Sequence, residues 1–248
     1  MRHVFSTMLV FLLFVVAAST QAAEKKIRVL LTFGGHGFQQ EPFFKMFNEM
    51  EGIEYTKAPM PQSAGLLKPG LEKDYDVIVM YDMVKGFTPE QQQAFVELLQ
   101  KGIGLVSLHH NMGAHRDWDE FRKIIGGKFV FKPTKIDGKD CPKSTWAHGQ
   151  DMKISIAEKD HPITKGLKDF EIHDETYGKY YTSPDVTVLL TTDNPKNDPE
   201  LAWVKDYGNS RVFYFMLGHD AHAWKNPMYP EIVLRGIRWA AGKDQPKK

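Results

Sequence analysis

The chain has 248 residues, with 32 basic and 31 acidic side chains, a formal net charge of +1 and 42% hydrophobic residues. That balance excludes a protein driven onto nucleic acid or an anionic membrane by its overall field, and it leaves a small or neutral partner. The single cysteine, Cys141, cannot form an internal disulfide, so stability must come from core packing.

Arg2 and His3 precede an apolar run over residues 4–18, and small residues continue to Ala23. This pattern predicts a secretory signal peptide over residues 1–23, cut after Ala22 or Ala23, and an exported protein, periplasmic or secreted. A retained membrane anchor is the weaker alternative, because Ser6 and Thr7 interrupt a run already short for a span of about 20 residues. Residues 24–248 are expected to form one α/β domain, free of the membrane once the leader is removed.

In the mature chain, residues 27–33 form an apolar run closed by Gly34 and Gly35, which predicts a buried first strand and a tight turn. Phe43, Phe44, Phe47 and Met50 then recur at helical spacing. Residues 53–56 predict a second strand, and "YDVIVMYD", residues 75–82, a third that is apolar on both faces, as a central parallel strand should be. Thr88, Pro89 and Glu90 open a helix that Gly102 stops. Residues 103–108 give the next strand, and Trp118, Phe121, Ile124 and Ile125 mark the helix after it. Repeated strand, loop and helix predict a mainly parallel sheet with helices on both faces.

Beyond Gly127 the pattern is richer in strands: residues 129–131, 152–157, 186–191, 201–204 and 211–217. "KDYGNS" joins the last two as a hairpin turn. A closing helix over about residues 227–241 presents apolar surface suited to internal packing or to a homo-oligomer.

The histidines gather where such a sheet would bind a ligand, beyond the carboxyl ends of its strands. Of ten histidines, His3 falls in the leader, and six of the others lie in three loops after predicted strands: His36; His109, His110 and His115; His219 and His222. A single loop histidine is ordinarily solvated or bonded to backbone, but three loops converging on one edge would need a separate reason for each imidazole. In "STWAHG", His148 stands just before a strand. "FEIHDETYGKYY" gathers His173, Asp174 and Glu175 beside tyrosines, either as a site or as a solvated acidic turn.

There is no H-E-x-x-H motif, no Walker lysine and no G-x-S-x-G elbow, which disfavours zincin, nucleotide and α/β-hydrolase chemistry. A divalent metal held by His219, His222 or His109 stays open as a cofactor. An extended backbone would send His109 and His110 to opposite sides, so only one of the pair should face a given ligand.

Taken in order, "VLLTFGGHGF", "GIGLVSLHHNMGAHRDWDEFRKIIGGKF", "AHGQDMKISI", "DHPITKGLKDFEIHDETY" and "GNSRVFYFMLGHDAHAWKNPMYPEIVLRGIRWAAG" resemble the ThuA-like (trehalose utilisation) family. The resemblance implies a flavodoxin-like, class I glutamine amidotransferase-like three-layer sandwich, and a role in the catabolism of disaccharides and their 3-keto derivatives. It does not carry over amidotransferase chemistry, because the strand end that would hold the nucleophilic cysteine here reads Leu108-His109-His110.

The residues and the resemblance together predict an enzyme acting on a sugar or 3-keto-glycoside as a lyase, hydrolase or isomerase. His109 or His110 would move the proton, His219 would polarise the carbonyl, with or without a metal, and His148 and Glu175 would orient these groups or act as a second acid/base. Tyr177 and Trp224 would contact the sugar face, with His36, Asp220 and His222 also binding substrate. The competing reading is a non-catalytic sugar-binding or accessory protein.

Overall fold

A computed structural model describes residues 25–243. The signal-peptide reading lies outside the described residues. Among the described residues no helix is long and apolar enough to cross a membrane.

The first half of the chain alternates strand and helix. β1 (Ile27–Gly34), α1 (Gln40–Asn48), β2 (Ile53–Met60), β3 (Val77–Asp82), α2 (Pro89–Leu99), β4 (Gly104–Leu108) and α3 (Asp119–Ile125) follow in order. α2 begins where Thr88 and Gln91 cap each other reciprocally, the Thr88 hydroxyl accepting the Gln91 N–H and the Gln91 side chain accepting the Thr88 N–H. α3 stops at Gly126, which takes φ +77 at a spot where a Cβ would strike the Trp203 indole.

The second half is mostly strand. It comprises β5 (Gly127–Lys128), β6 (Thr134–Ile136), β7 (Lys139–Cys141), β8 (Thr145–Ile156), β9 (Phe170–Gly178), β10 (Tyr181–Thr182), β11 (Thr187–Thr192), β12 (Glu200–Tyr207) and β13 (Ser210–Phe215), closed by α4 (Ala221–Lys225) and α5 (Met228–Ala240). Nine strands form one sheet in the order β2-β1-β3-β4-β13-β12-β11-β8-β9. The block from β2 to β13 is parallel, whereas every pairing from β13 to β9 is antiparallel. The sheet is therefore mixed, because the chain after α3 turns back by hairpins rather than by helical crossovers.

Three local expectations need correction. Residues 129–131 are not a strand: the Phe129 N–H goes to the Met112 carbonyl and the Val130 N–H to the Ser144 hydroxyl, so no neighbouring strand takes them. "HDE" is no turn but the middle of β9, with Asp174 and Glu175 buried. His148 lies inside β8 rather than before it. The hairpin of β6 and β7 went unread because its strands are short and largely exposed.

Alternation along β13 divides the core. Phe213 and Phe215 face α5, where Phe215 stacks on Tyr229, while Tyr214 faces the other layer and stacks on Trp203, whose indole N–H donates to the Ile125 carbonyl at the end of α3. At Gly236 of α5 a Cβ would lie 2.2 Å from the Phe213 ring, so the missing side chain sets how close the helix comes to the sheet. Asp82, at the end of β3, is fully buried; one oxygen accepts the Thr32 hydroxyl, and the Val84 backbone N–H gives the carboxylate further support without a well-formed bond to the other oxygen. Its backbone carbonyl accepts the Asn111 amide, which the Ser107 hydroxyl holds from the other side. This cluster fixes the loop that carries His109 and His110.

Gly236→Ala is expected to destabilise the protein in urea unfolding by about 1–3 kcal/mol, although alanine is ordinarily the better helix former by about 1 kcal/mol, because Phe213 leaves no room. Burial raises the Asp82 pKa from 3.8 to about 6, so the native state holds this proton more tightly than the unfolded chain does. The stability tied to that proton is complete below about pH 4 and is lost as pH rises through 6, amounting to about 3 kcal/mol at most. Asp82→Asn should remove that slope, gaining on the wild type in unfolding experiments at pH 7.5 but not at pH 4.

Candidate active site

The site is organised by Glu175, whose side chain is only 5% exposed. Its Oε2 lies 3.2 Å from His109 Nε2 and 3.2 Å from His219 Nδ1, and its Oε1 lies 3.0 Å from His148 Nδ1. One carboxylate thus meets three imidazoles, each delivered by a different element.

His109 follows β4 at φ +47, a left-handed backbone unusual for a residue with a Cβ. Its carbonyl accepts the Tyr214 hydroxyl at 2.9 Å, and its Nδ1 donates to the Met216 carbonyl at 2.6 Å. That second bond places a proton on Nδ1 and turns Nε2 toward Glu175, with the Tyr177 hydroxyl 3.1 Å away and His219 Nδ1 3.3 Å away.

His148 reaches Glu175 through a bulge. Ala147 pairs with Thr176 and Gln150 with Asp174, so His148 and Gly149 together oppose Glu175, with Gly149 at φ +62. His219 is placed by Asp174, which is buried and accepts the N–H groups of Gly218 (2.6 Å) and His219 (2.9 Å). Gly218 has φ +114, and a Cβ there would lie 2.2 Å from the Tyr229 hydroxyl, so only glycine fits this turn.

Beside this cluster is a pocket of about 250 Å³ whose wall includes Glu175, His219, His148, Tyr177, His36 and His110. Met83, Phe129, Phe131 and Trp146 make its apolar side, with Trp146 54% exposed at the mouth. His110 is 4% exposed and packs against Tyr81 and His36, and neither of its ring nitrogens makes a well-formed hydrogen bond. His109 and His110 begin a short 3-10 turn (His109–Gly113), not an extended strand, so both join the site, with rings 5.4 Å apart. A larger groove of about 830 Å³ lies elsewhere, lined by His173, His222, Asp151 and other exposed groups. The smaller pocket is the better candidate because buried polar side chains converge on it.

The electrostatics separate these imidazoles. Burial opposes the Glu175 charge, but hydrogen bonds from His109 and His219 and their attraction prevail, holding its carboxyl far below the usual range. The His219 pKa is raised, first by its hydrogen bond to Glu175. Desolvation pushes His110 well down, an effect the Tyr81 backbone offsets only in small part, and it lowers His36 too. Burial raises Asp174, against the pull of His109 and three backbone N–H groups.

The other sequence candidates sit apart. His222 is exposed and pairs with Asp220 at 3.2 Å, and Asp220 caps α4. Trp224 is buried against Phe43, its indole N–H donating to the Gly218 carbonyl; it braces the His219 turn from behind and does not line the pocket. His115 lies in an aromatic cage of Phe87, Trp118 and Phe121. Trp146, Phe129 and Phe131 were missed as pocket residues, although Trp146 stands two positions before His148. Among the described residues the group suited to holding a metal is His109, Glu175 and His219, so Glu175 takes the place that the sequence reading gave to His222.

The fold is that of several solved structures. A protein described as ThuA-like from Parabacteroides merdae ATCC 43184 superposes with a TM-score of 0.75 at 23% identity, covering 90% of this chain and 93% of that one. Another described as ThuA-like, from Bacteroides uniformis ATCC 8492, gives 0.67 at 20% identity, covering 90% and 94%. A cytoplasmic protein from Salmonella typhimurium LT2 gives 0.60 at 12% identity, covering 86% and 99%. No curated protein matches the chain. The model of the ThuA family, described as trehalose utilisation, matches residues 19–240. The chain belongs to the ThuA family.

Proposed function

We propose that this protein is an exported enzyme of carbohydrate breakdown that binds a 3-keto-glycoside and moves a proton at the carbon beside the ketone, as the first step of a lyase, hydrolase or isomerase. The observation that carries this reading is His110, a buried imidazole in the pocket wall with no well-formed hydrogen bond, across from a carboxylate clasped by three other imidazoles. A buried polar group without a partner costs about 1–3 kcal/mol, a cost that a bound substrate would relieve.

The parallel block has the 2-1-3-4-5 strand order of flavodoxin-like sheets when β13 is counted fifth, and in such sheets ligands sit at the carboxyl edge. We accordingly read the fold as a flavodoxin-like, class I glutamine amidotransferase-like sandwich extended by antiparallel strands.

A ketone withdraws electrons from the neighbouring C–H bond. His110 takes that proton, and the electron pair moves into the carbonyl, forming an enediolate whose oxygen faces the His219 side of the pocket. As the enediolate re-forms the ketone, its electron pair makes a carbon–carbon double bond and breaks the glycosidic C–O bond, and His148, tied to Glu175 through Nδ1 and exposed, gives its own proton to the departing oxygen while His110 keeps the one it took. Phe129, Phe131 and Trp146 offer faces on which a sugar ring can stack, and that feature alone would also serve a protein that only binds sugar.

Turnover of 3-keto-glycosides by the purified mature protein, followed by mass spectrometry, tests the proposal. His110→Gln should lower kcat by about 10²–10⁴. Trp146→Ala should raise KM by about five- to tenfold with a smaller effect on kcat. Saturable sugar binding without turnover, unchanged in His110→Gln, would instead establish the non-catalytic reading.

A further inference from the structure

We infer that His109 Nε2, Glu175 Oε2 and His219 Nδ1 form a binding site for one divalent transition-metal ion, zinc being the best fit, with its open side toward the pocket. The site deepens the proposed sugar chemistry by naming what polarises the carbonyl, but its existence rests on geometry alone.

The three atoms form a nearly equilateral triangle with edges of 3.2, 3.2 and 3.3 Å. Ligand atoms about 2.0–2.1 Å from a tetrahedral zinc stand about 3.3–3.4 Å apart, so the triangle has the size of one face of such a site. Two imidazoles and a carboxylate with a fourth position open are the donor set of a catalytic rather than a structural zinc. Glu175 and His219 belong to the pocket wall while His109 is fully buried behind them, so the remaining position faces the pocket.

With His109 neutral, two acceptors stand side by side at this corner. The Met216 carbonyl takes the Nδ1 proton of His109, so in a neutral ring Nε2 presents a lone pair to a carboxylate oxygen that is also an acceptor. A single N–H on His219 Nδ1 is then shared between both acceptors, and the Tyr177 hydroxyl supplies the one other donor that reaches His109 Nε2. A cation at the centre would satisfy all three lone pairs at once.

The surroundings have the form that orients metal ligands. A ligating histidine ordinarily donates its second ring nitrogen to a carbonyl or carboxylate, as His109 does to Met216 at 2.6 Å. The second oxygen of Glu175 is likewise tied down, by His148 Nδ1 at 3.0 Å. The buried carboxylate of Asp174 fixes the backbone of Gly218 and His219, and Gly218 allows the turn that aims His219 inward. None of the three ligands depends on the exposed His173 and His222 groove.

The test is metal content and binding, measured apart from catalysis. The mature protein is stripped with chelator, reloaded with Zn²⁺ or Co²⁺ and analysed by elemental mass spectrometry, with cobalt followed by its visible absorption. One equivalent per chain and the intense band of four-coordinate cobalt are expected, together with a rise in Tm on zinc addition. His219→Ala and Glu175→Gln, each checked for native circular dichroism, should weaken zinc binding at least tenfold. His222→Ala should bind as the wild type does. No stoichiometric binding by the wild type, or binding lost in His222→Ala but kept in His219→Ala and Glu175→Gln, would overturn the site. Metal bound as expected with no keto-glycoside turned over would sink the sugar reading and leave the site standing. Keto-glycoside turnover by a wild type that binds no stoichiometric metal would do the reverse.

Discussion

Burying a carboxylate is the constraint on which this structure turns. Removing Glu175 from water costs several kcal/mol unless partners meet it, and its three imidazole partners lie outside β9. They come from the end of β4, the bulge of β8 and the loop after β13. In hydrogen-bonding order β9 is the far edge of the sheet, four places beyond β13, yet Asp174 and Glu175 touch the loop that follows β13. The antiparallel extension must therefore curl over the carboxyl edge of the parallel block. That curl is what turns an open strand edge into a walled pocket.

Asp174 and Glu175 divide the work of holding one loop. The first takes backbone N–H groups and sets where the chain runs; the second takes the His219 ring and sets where it points. Trp224 and Tyr229 close the same turn from behind, through the Gly218 carbonyl and the space a Cβ would need. A side chain held through its backbone, its ring and the turn before it has little freedom left, as precise placement of a reactive group requires. Nearby, His110 packs against Tyr81, His36 and His109 and makes no well-formed hydrogen bond. The pocket thus has one wall already satisfied and one wall still in need of a partner.

Much of this was legible in the sequence, and the rest failed for physical reasons. The apolar runs and the glycines that end them located β1, β3, β4 and the loops bearing His36, His109 and His219, because a buried parallel strand must be apolar on both faces. Glu175 was legible as a residue but not as a place. "HDE" reads as either a site or a solvated turn, because two adjacent acids are rarely buried, and the imidazoles of three distant segments are what make burial possible here. His148 was aimed by a bulge, which depends on the register between two strands and leaves no local mark beyond Gly149. Trp224 and His222 were misplaced because α4 turns the first into the core and the second to solvent, although they stand two residues apart.

The adjacent histidines raise a problem of geometry that the backbone resolves. In a strand, consecutive side chains diverge, and a site would gain one imidazole and lose the other. His109 instead leaves β4 in the left-handed region, at a cost of order 1 kcal/mol, and the chain enters a 3-10 turn at once. The strain is met by specific bonds: Tyr214 to its carbonyl, Met216 to its Nδ1, and the Asn111 amide to the Asp82 carbonyl behind the turn. A glycine would adopt the same φ more cheaply but would remove the ring that Glu175 requires. The two imidazoles end in different environments, one clasped by a carboxylate behind the wall and one in the pocket wall without a well-formed hydrogen bond, and the left-handed residue is what brings both to the same site.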